Sequence, residues 1–107
     1  VQVMQVFPNP NVATFGITME MQRLAKGNPN FVISHAAMEG FAGAKVLVEG
    51  LRRAGKNPTR ESLITGLDSM TDVDLGGLRV GYNPGDHTGI DFAEPSIIGR
   101  KGEFVQR

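Results

Sequence analysis

The stretch from Ser34 to Ala54, SHAAMEGFAGAKVLVEGLRRA, constrains the fold more than any other part of the chain. It is the longest run with a helical period, and it holds no proline. Ala37, Phe41, Ala44, Val48 and Leu51 recur at steps of four and three, so a helix stacks them on one face. Gly40, Gly43 and Leu47 widen that face beyond a narrow stripe. A helix this apolar on most sides packs against several neighbours. Ala36, Ala37, Gly40, Ala42, Gly43 and Ala44 are small enough for other backbones to come close. An interior helical glycine costs about 1 kcal/mol against alanine, so Gly40 and Gly43 need a reason in packing or in function. Ser34 is suited to cap the helix. Arg52, Arg53 and Lys56 gather near its carboxyl end, where cations suit the dipole, and Gly55 is the expected stop. The expectation is a buried spine whose amino-terminal end faces something other than solvent.

Shorter elements flank this spine. Val1 to Val6 alternates as a half-buried strand does. Phe7-Pro8-Asn9-Pro10-Asn11 breaks it, because two prolines favour extended backbone and remove two donors. Asn11 is a good cap for a helix running to about Lys26, with Val12, Phe15, Met19 and Leu24 as its apolar face. Gly27-Asn28-Pro29-Asn30 stops it. Phe31-Val32-Ile33 reads as a strand or a tight connection. Thr59 caps a third helix, with Glu61 in its first turn and Leu63, Leu67 and Met70 on its buried face. From Leu75 onward, glycines punctuate short strand-like runs: Leu78 to Tyr82, Ile90 to Ala93, Ser96 to Ile98, and Glu103 to Gln106. Arg100-Lys101-Gly102 suits a tight hairpin. The order is one strand, three helices, then several short strands.

Composition narrows the functional classes. At 107 residues the chain is one domain at most. Lysine plus arginine equals aspartate plus glutamate, 11 each, which argues against a nucleic-acid footprint. No cysteine is present, so disulfide, thiol redox and thiolate metal chemistry are excluded. No apolar run reaches the roughly 20 residues that span a bilayer. The chain opens on VQVMQV, in mid-strand and without an initiating methionine, as expected of a fragment of a longer protein.

Several segments, taken in order, resemble the carboxyl-terminal part of type I periplasmic binding proteins, the branched-chain amino-acid receptor type that serves ABC transporters. They are the strand followed by VFPNPN, then EGFAGAKVLVEGLRRAG, NPTRESLITGLDSM, LGGLRVGYNPGDHTGIDF, and SIIGRKGEFV. The resemblance covers nearly the whole chain in one register. It implies an α/β fold, the carboxyl-terminal part of a two-lobed protein with ligand in the cleft between lobes. Residues 1–107 would form a single piece, with inter-lobe crossovers near 7–11 and 86–91. Much of the two lobes would lie outside this sequence, including the family's main clamp on the ligand carboxylate. The implied partners are a small amino acid or related amide or carboxylate and a membrane permease, with no nucleic acid and no cofactor. The implied location is the periplasm. An amide-sensing regulator or a receptor ectodomain of the same fold is an alternative. So is a free-standing interaction module using Ala36 to Val48.

Phe41 is the first candidate for ligand contact. By resemblance, an aromatic near the start of this helix lines the cleft; relatives often carry tyrosine, so phenylalanine removes a hydroxyl. Its competing role is plain core packing. Glu39, on another face, could meet a ligand amine, or be a solvated surface carboxylate. His35, at the helix start, could face the cleft or be structural. His87 reads as turn chemistry within Asp86-His87-Thr88-Gly89. Neither histidine has an obvious carboxylate companion in the pattern, so a metal site is not indicated. Asp72 and Asp74 resemble the start of a calcium loop without the remaining ligands. Gly76-Gly77 reads as a turn, because no helix follows it to cradle phosphate. There is no nucleophile elbow and no P-loop, so no enzyme is indicated. A fragment would also expose apolar faces and strand edges, which favours homo-oligomers.

Overall fold

A computed structural model describes residues 2–11, 15–90 and 92–106. The elements follow the expected order: β1 (Gln2–Gln5), α1 (Gly16–Lys26), α2 (His35–Ala54), α3 (Arg60–Asp68), β2 (Val73–Asp74), β3 (Arg79–Val80), β4 (Glu94–Ile98) and β5 (Phe104–Gln106). The fold is mixed helix and sheet.

Two bodies emerge. In the first, β1, β4 and β5 form an antiparallel sheet in the order β1-β4-β5. Gln2 pairs with Ile97 and Gln5 with Glu94, so the opening strand pairs with one near the end of the chain. Buried Ser96 donates its hydroxyl to the Val3 carbonyl at 3.0 Å, fixing that register. The β4–β5 turn closes as expected: Gly99 N donates to the Glu103 carbonyl at 2.7 Å, and Gly102 takes φ 82°. The second body holds the three helices and the β2–β3 ladder. Contacts between elements fall within each body and not across the two. The radius of gyration is 15.6 Å, against about 13 Å for a compact domain of this length. The molecule is correspondingly drawn out, 50 × 32 × 19 Å.

The helical core collects Ile17 and Met21 from α1, Met38 and Ala42 from α2, and Met70, Leu75, Leu78 and Val80 from the return segment. Helix α2 begins where expected. Ser34 Oγ accepts from Ala37 N at 3.0 Å. Helix α3 is capped by Thr59, which exchanges hydrogen bonds with Ser62 in a capping box. Helices α2 and α3 cross closely at Gly50 and Gly66. A Cβ on Gly66 would lie 2.7 Å from the Gly50 carbonyl.

Four expectations are corrected. Of the expected face of α2, Ala37 and Phe41 pack on the core beside Met38, Ala42, Val46 and buried Gly50, while Ala44, Leu47, Val48 and Leu51 are exposed. The spine is therefore buried on one side only. Helix α1 starts at Gly16, with Phe15 at the cap position, not from Asn11. Its buried residues are Ile17, Thr18 and Met21, and Met19 and Leu24 face outward. The cause is tertiary: Ile17 N donates to the Gly76 carbonyl at 2.8 Å, and Thr18 Oγ1 to the Phe15 carbonyl at 2.7 Å. Val12 lies outside the described residues. The run Leu78 to Tyr82 is a strand only at Arg79–Val80, because Gly81 N bonds to Gly89 O and Tyr82 N to Met70 O instead of to a partner strand. Ile90, Phe92 and Ala93 form a connection rather than a strand, with the Phe92 ring turned edge-on to Phe15 at 5.8 Å.

Candidate functional site

Phe41 lies in an open groove of about 710 Å³ between α1, α2 and the β2 segment. Its α2 wall is Phe41, Ala44, Lys45, Val48, Glu49 and Arg52, spaced at three and four. Gly16 and Glu20 come from α1, and Val73 to Gly76 close the far side. Phe41 is half-buried and packs against the core, so the ring serves both as core and as groove wall. Lys45 Nζ sits 2.9 Å from both carboxylate oxygens of Glu20 and 5.7 Å from the Phe41 ring centroid. The ammonium is thus held over the aromatic face by a carboxylate on the neighbouring helix.

At the far side, Asp74 Oδ1 accepts from Gly77 N at 2.6 Å and Gly76 N at 2.9 Å. These two bonds, Gly77 first, hold its carboxyl below the usual carboxylate range. The turn needs glycine: Gly76 and Gly77 have φ 101° and 90°, and a Cβ on Gly77 would lie 2.6 Å from the Phe15 ring. Asp72 pairs with Arg79 at 2.8 and 2.9 Å, and that bond lowers its pKa. Both aspartates are therefore engaged within the turn and ladder. Among the described residues, no three histidine or acidic side chains gather as metal ligands.

Of the three candidate residues, only Phe41 lines this groove. Glu39 is exposed elsewhere on α2. His35, the first residue of α2, is half-buried, and burial lowers its pKa below 6.5, favouring the neutral imidazole. His87 does have a carboxylate companion: Nε2 lies 2.9 Å from Asp68 Oδ1. Sequence reading missed that pair and the Glu20–Lys45 pair, since both join residues far apart in the chain. The groove presents an apolar wall with two carboxylate-paired cations, Lys45 and Arg52, and neighbouring carboxylates. Such a surface can orient a small molecule with groups of either sign.

The passage between the bodies is short. Gln5 opposite Glu94 is the last pair of the ladder, so Val6 and Ala93 leave the sheet side by side. Next to them, Phe7 and Phe92 pack on the helical core. Pro8, Asn9 and Pro10 are buried, and the Pro10 carbonyl accepts from Gln22 Nε2 at 2.7 Å. Ile90 also packs on that core.

No family model matches this sequence, and no curated protein matches it. Solved structures do. The fold is that of a type I periplasmic binding protein, matched over about a third of such a protein's length. A substrate-binding periplasmic protein from Ralstonia solanacearum is 34% identical with a TM-score of 0.83, over 99% of this chain and 31% of that one. An extracellular ligand-binding receptor from Verminephrobacter eiseniae is 25% identical at TM-score 0.81, over 97% and 30%. A protein from Rhodopirellula baltica, described as a possible leucine/isoleucine/valine-binding protein, shares the fold at TM-score 0.86 and 20% identity, over 98% and 29%.

Proposed function

We propose that this chain is part of a solute-binding receptor. Its whole protein would bind a small amino acid, or a related amide or carboxylate, between two lobes. The observation that carries this reading is the match to a substrate-binding periplasmic protein across 99% of the chain at 34% identity. The architecture supports it: two bodies joined by two adjacent passages form a natural hinge. In this reading Val6 and Ala93 bend while segments 7–11 and 86–91 serve as inter-lobe crossovers, and Phe41 forms an apolar wall of the cleft. His35 and Glu39 lie outside the groove and are secondary candidates. The closed receptor would be presented to an ABC-transporter permease in the periplasm, and no covalent step is required. A receptor ectodomain or amide-sensing regulator of the same fold is the second reading, favoured by the likeness to an extracellular ligand-binding receptor.

The test is a thermal-shift screen of the native-length protein against amino acids, amides and small carboxylates. Binding to the native state raises the apparent melting temperature by mass action, about 2.7 kcal/mol at a hundred times Kd. One ligand class should raise it, and Phe41→Ala should shrink that rise at equal ligand concentration. A flat response across the panel would remove the amino-acid reading.

A further inference from the structure

A second pocket lies between α2, α3 and the segment 82–87. Its volume is about 240 Å³, and Val46, Ile64, Leu67, Asp68, Tyr82 and His87 line it. None of these residues lines the Phe41 groove. A cavity of about 150 Å³ holds benzene, so this one has room for a single ring with a short arm.

The walls are held from behind. Leu67 packs into the notch at Gly50, where an added Cβ would strike its side chain. Tyr82 N donates to the Met70 carbonyl at 2.7 Å, and its ring lies against Gly89. The turn before His87 is closed by two hydrogen bonds between Asn83 and Asp86, 3.0 Å each. The pocket is therefore pre-formed, as small-molecule sites usually are.

Its carboxylate sets the chemistry. Asp68 is the last residue of α3, where the helix dipole disfavours negative charge, so helix formation does not account for it. Its side chain is only 19% exposed. Oδ1 meets His87 Nε2 at 2.9 Å, and Oδ2 has no hydrogen-bond partner among the described residues. A carboxylate oxygen bordering apolar walls gains most from a positively charged N–H donor. Arg53 reaches Ser69, next to Asp68, but is bound to Glu49 and to the Ser69 carbonyl and hydroxyl.

We propose that this pocket binds a small hydrophobic ammonium. Its ring or branched chain lies against Val46, Ile64, Leu67 and Tyr82, and its N–H groups donate to Asp68 Oδ2. The site is separate from the Phe41 groove and does not depend on the receptor reading.

The test is calorimetric titration of the native-length protein with 2-phenylethylamine. Alongside it run 3-phenylpropionate and 2-phenylethanol, which keep the ring and replace the ammonium by a carboxylate or a hydroxyl. The amine should saturate with a Kd of about 1 mM or below. The other two should bind at least about 10-fold more weakly, the worth of a charge-assisted hydrogen bond. Asp68→Asn keeps an acceptor for His87 and should weaken the amine about 10-fold. Ile64→Arg, at an exposed position, should abolish binding by bringing a like charge to the pocket. Phe41→Ala should leave the amine's Kd unchanged. Equal binding of all three probes, or an amine affinity untouched by Asp68→Asn and Ile64→Arg, overturns the site. So does no saturation by about 10 mM, and so does a loss on Phe41→Ala alone, which would assign the amine to the groove. A silent thermal screen with amine binding intact removes the receptor reading only. A ligand response there with no amine binding removes this site only.

Discussion

Gly50 and Gly66 set how closely α2 and α3 approach, and they differ in what a methyl group would meet. At Gly66 the obstacle is backbone: Gly50 O at 2.7 Å and Ala54 N at 3.2 Å. At Gly50 it is the end of the Leu67 side chain, which can rotate away. Gly66→Ala should therefore cost about 1–3 kcal/mol, the range for overpacking, and Gly50→Ala less. Urea unfolding midpoints would rank them; equal costs would mean that the helices can part without penalty. Asp74 acts at the same scale through pH. Its folded pKa is depressed by the Gly77 and Gly76 amides, so its contribution is complete above the ordinary value near 3.8 and is lost as pH falls through the lower folded value. The melting temperature of the wild type should fall more steeply below pH 4 than that of Asp74→Asn, which keeps an acceptor but does not titrate. Parallel slopes would show that the turn does not feel this charge.

Whether an element could be read from sequence depended on how far away its partners lie. The caps of α2 and α3 were legible because Ser34 meets Ala37, and Thr59 meets Ser62, within one turn. The start of α1 was not, since its first turn is closed by Gly76 from the far side of the body. Asn11, which looked like a cap, instead donates its N–H to Asn9 Oδ1 at 2.9 Å. The apolar period of α2 was legible, but not which apolar face the chain itself would cover. At the candidate site, Phe41 stood out by its place in the helix, whereas Glu20 and Lys45, 25 positions apart, leave no local signal. The capping roles can be measured. Ser34→Ala and Thr59→Ala should each cost about 0.5–2 kcal/mol, with helicity lost on circular dichroism at a lower temperature. A double variant should be close to additive, because the two caps share no partner. A loss confined to Ser34→Ala would mean that α3 is held by packing alone.

On the scale of the whole molecule, the exposed surfaces predict how the isolated 107-residue chain behaves. The open face of α2 offers Leu47 and Leu51 to solvent, and among the described residues the outer edges of the sheet, β1 and β5, have no further strand. Apolar patches and unpaired strand edges both recruit partners. Two modes of association follow. Face-to-face pairing of α2 would be isologous and governed by Leu47. Strand exchange would instead let β1 of one copy pair with β4 of another, since only Val6 separates β1 from the docked segment that begins at Phe7. Light scattering of the isolated chain should give a dimer or larger, and Leu47→Glu distinguishes the modes. If α2 carries the contact, a buried glutamate without a partner is costly and the mass should fall to about 11.5 kDa. If the sheet carries it, Leu47→Glu should leave the mass unchanged, and Val3→Pro, which takes a backbone N–H out of β1 opposite Ser96, should disrupt the strand. A wild-type monomer at every concentration would show that these surfaces are too small to associate. The open face would then have to be filled, where it is filled, by covalent neighbours held at high effective concentration.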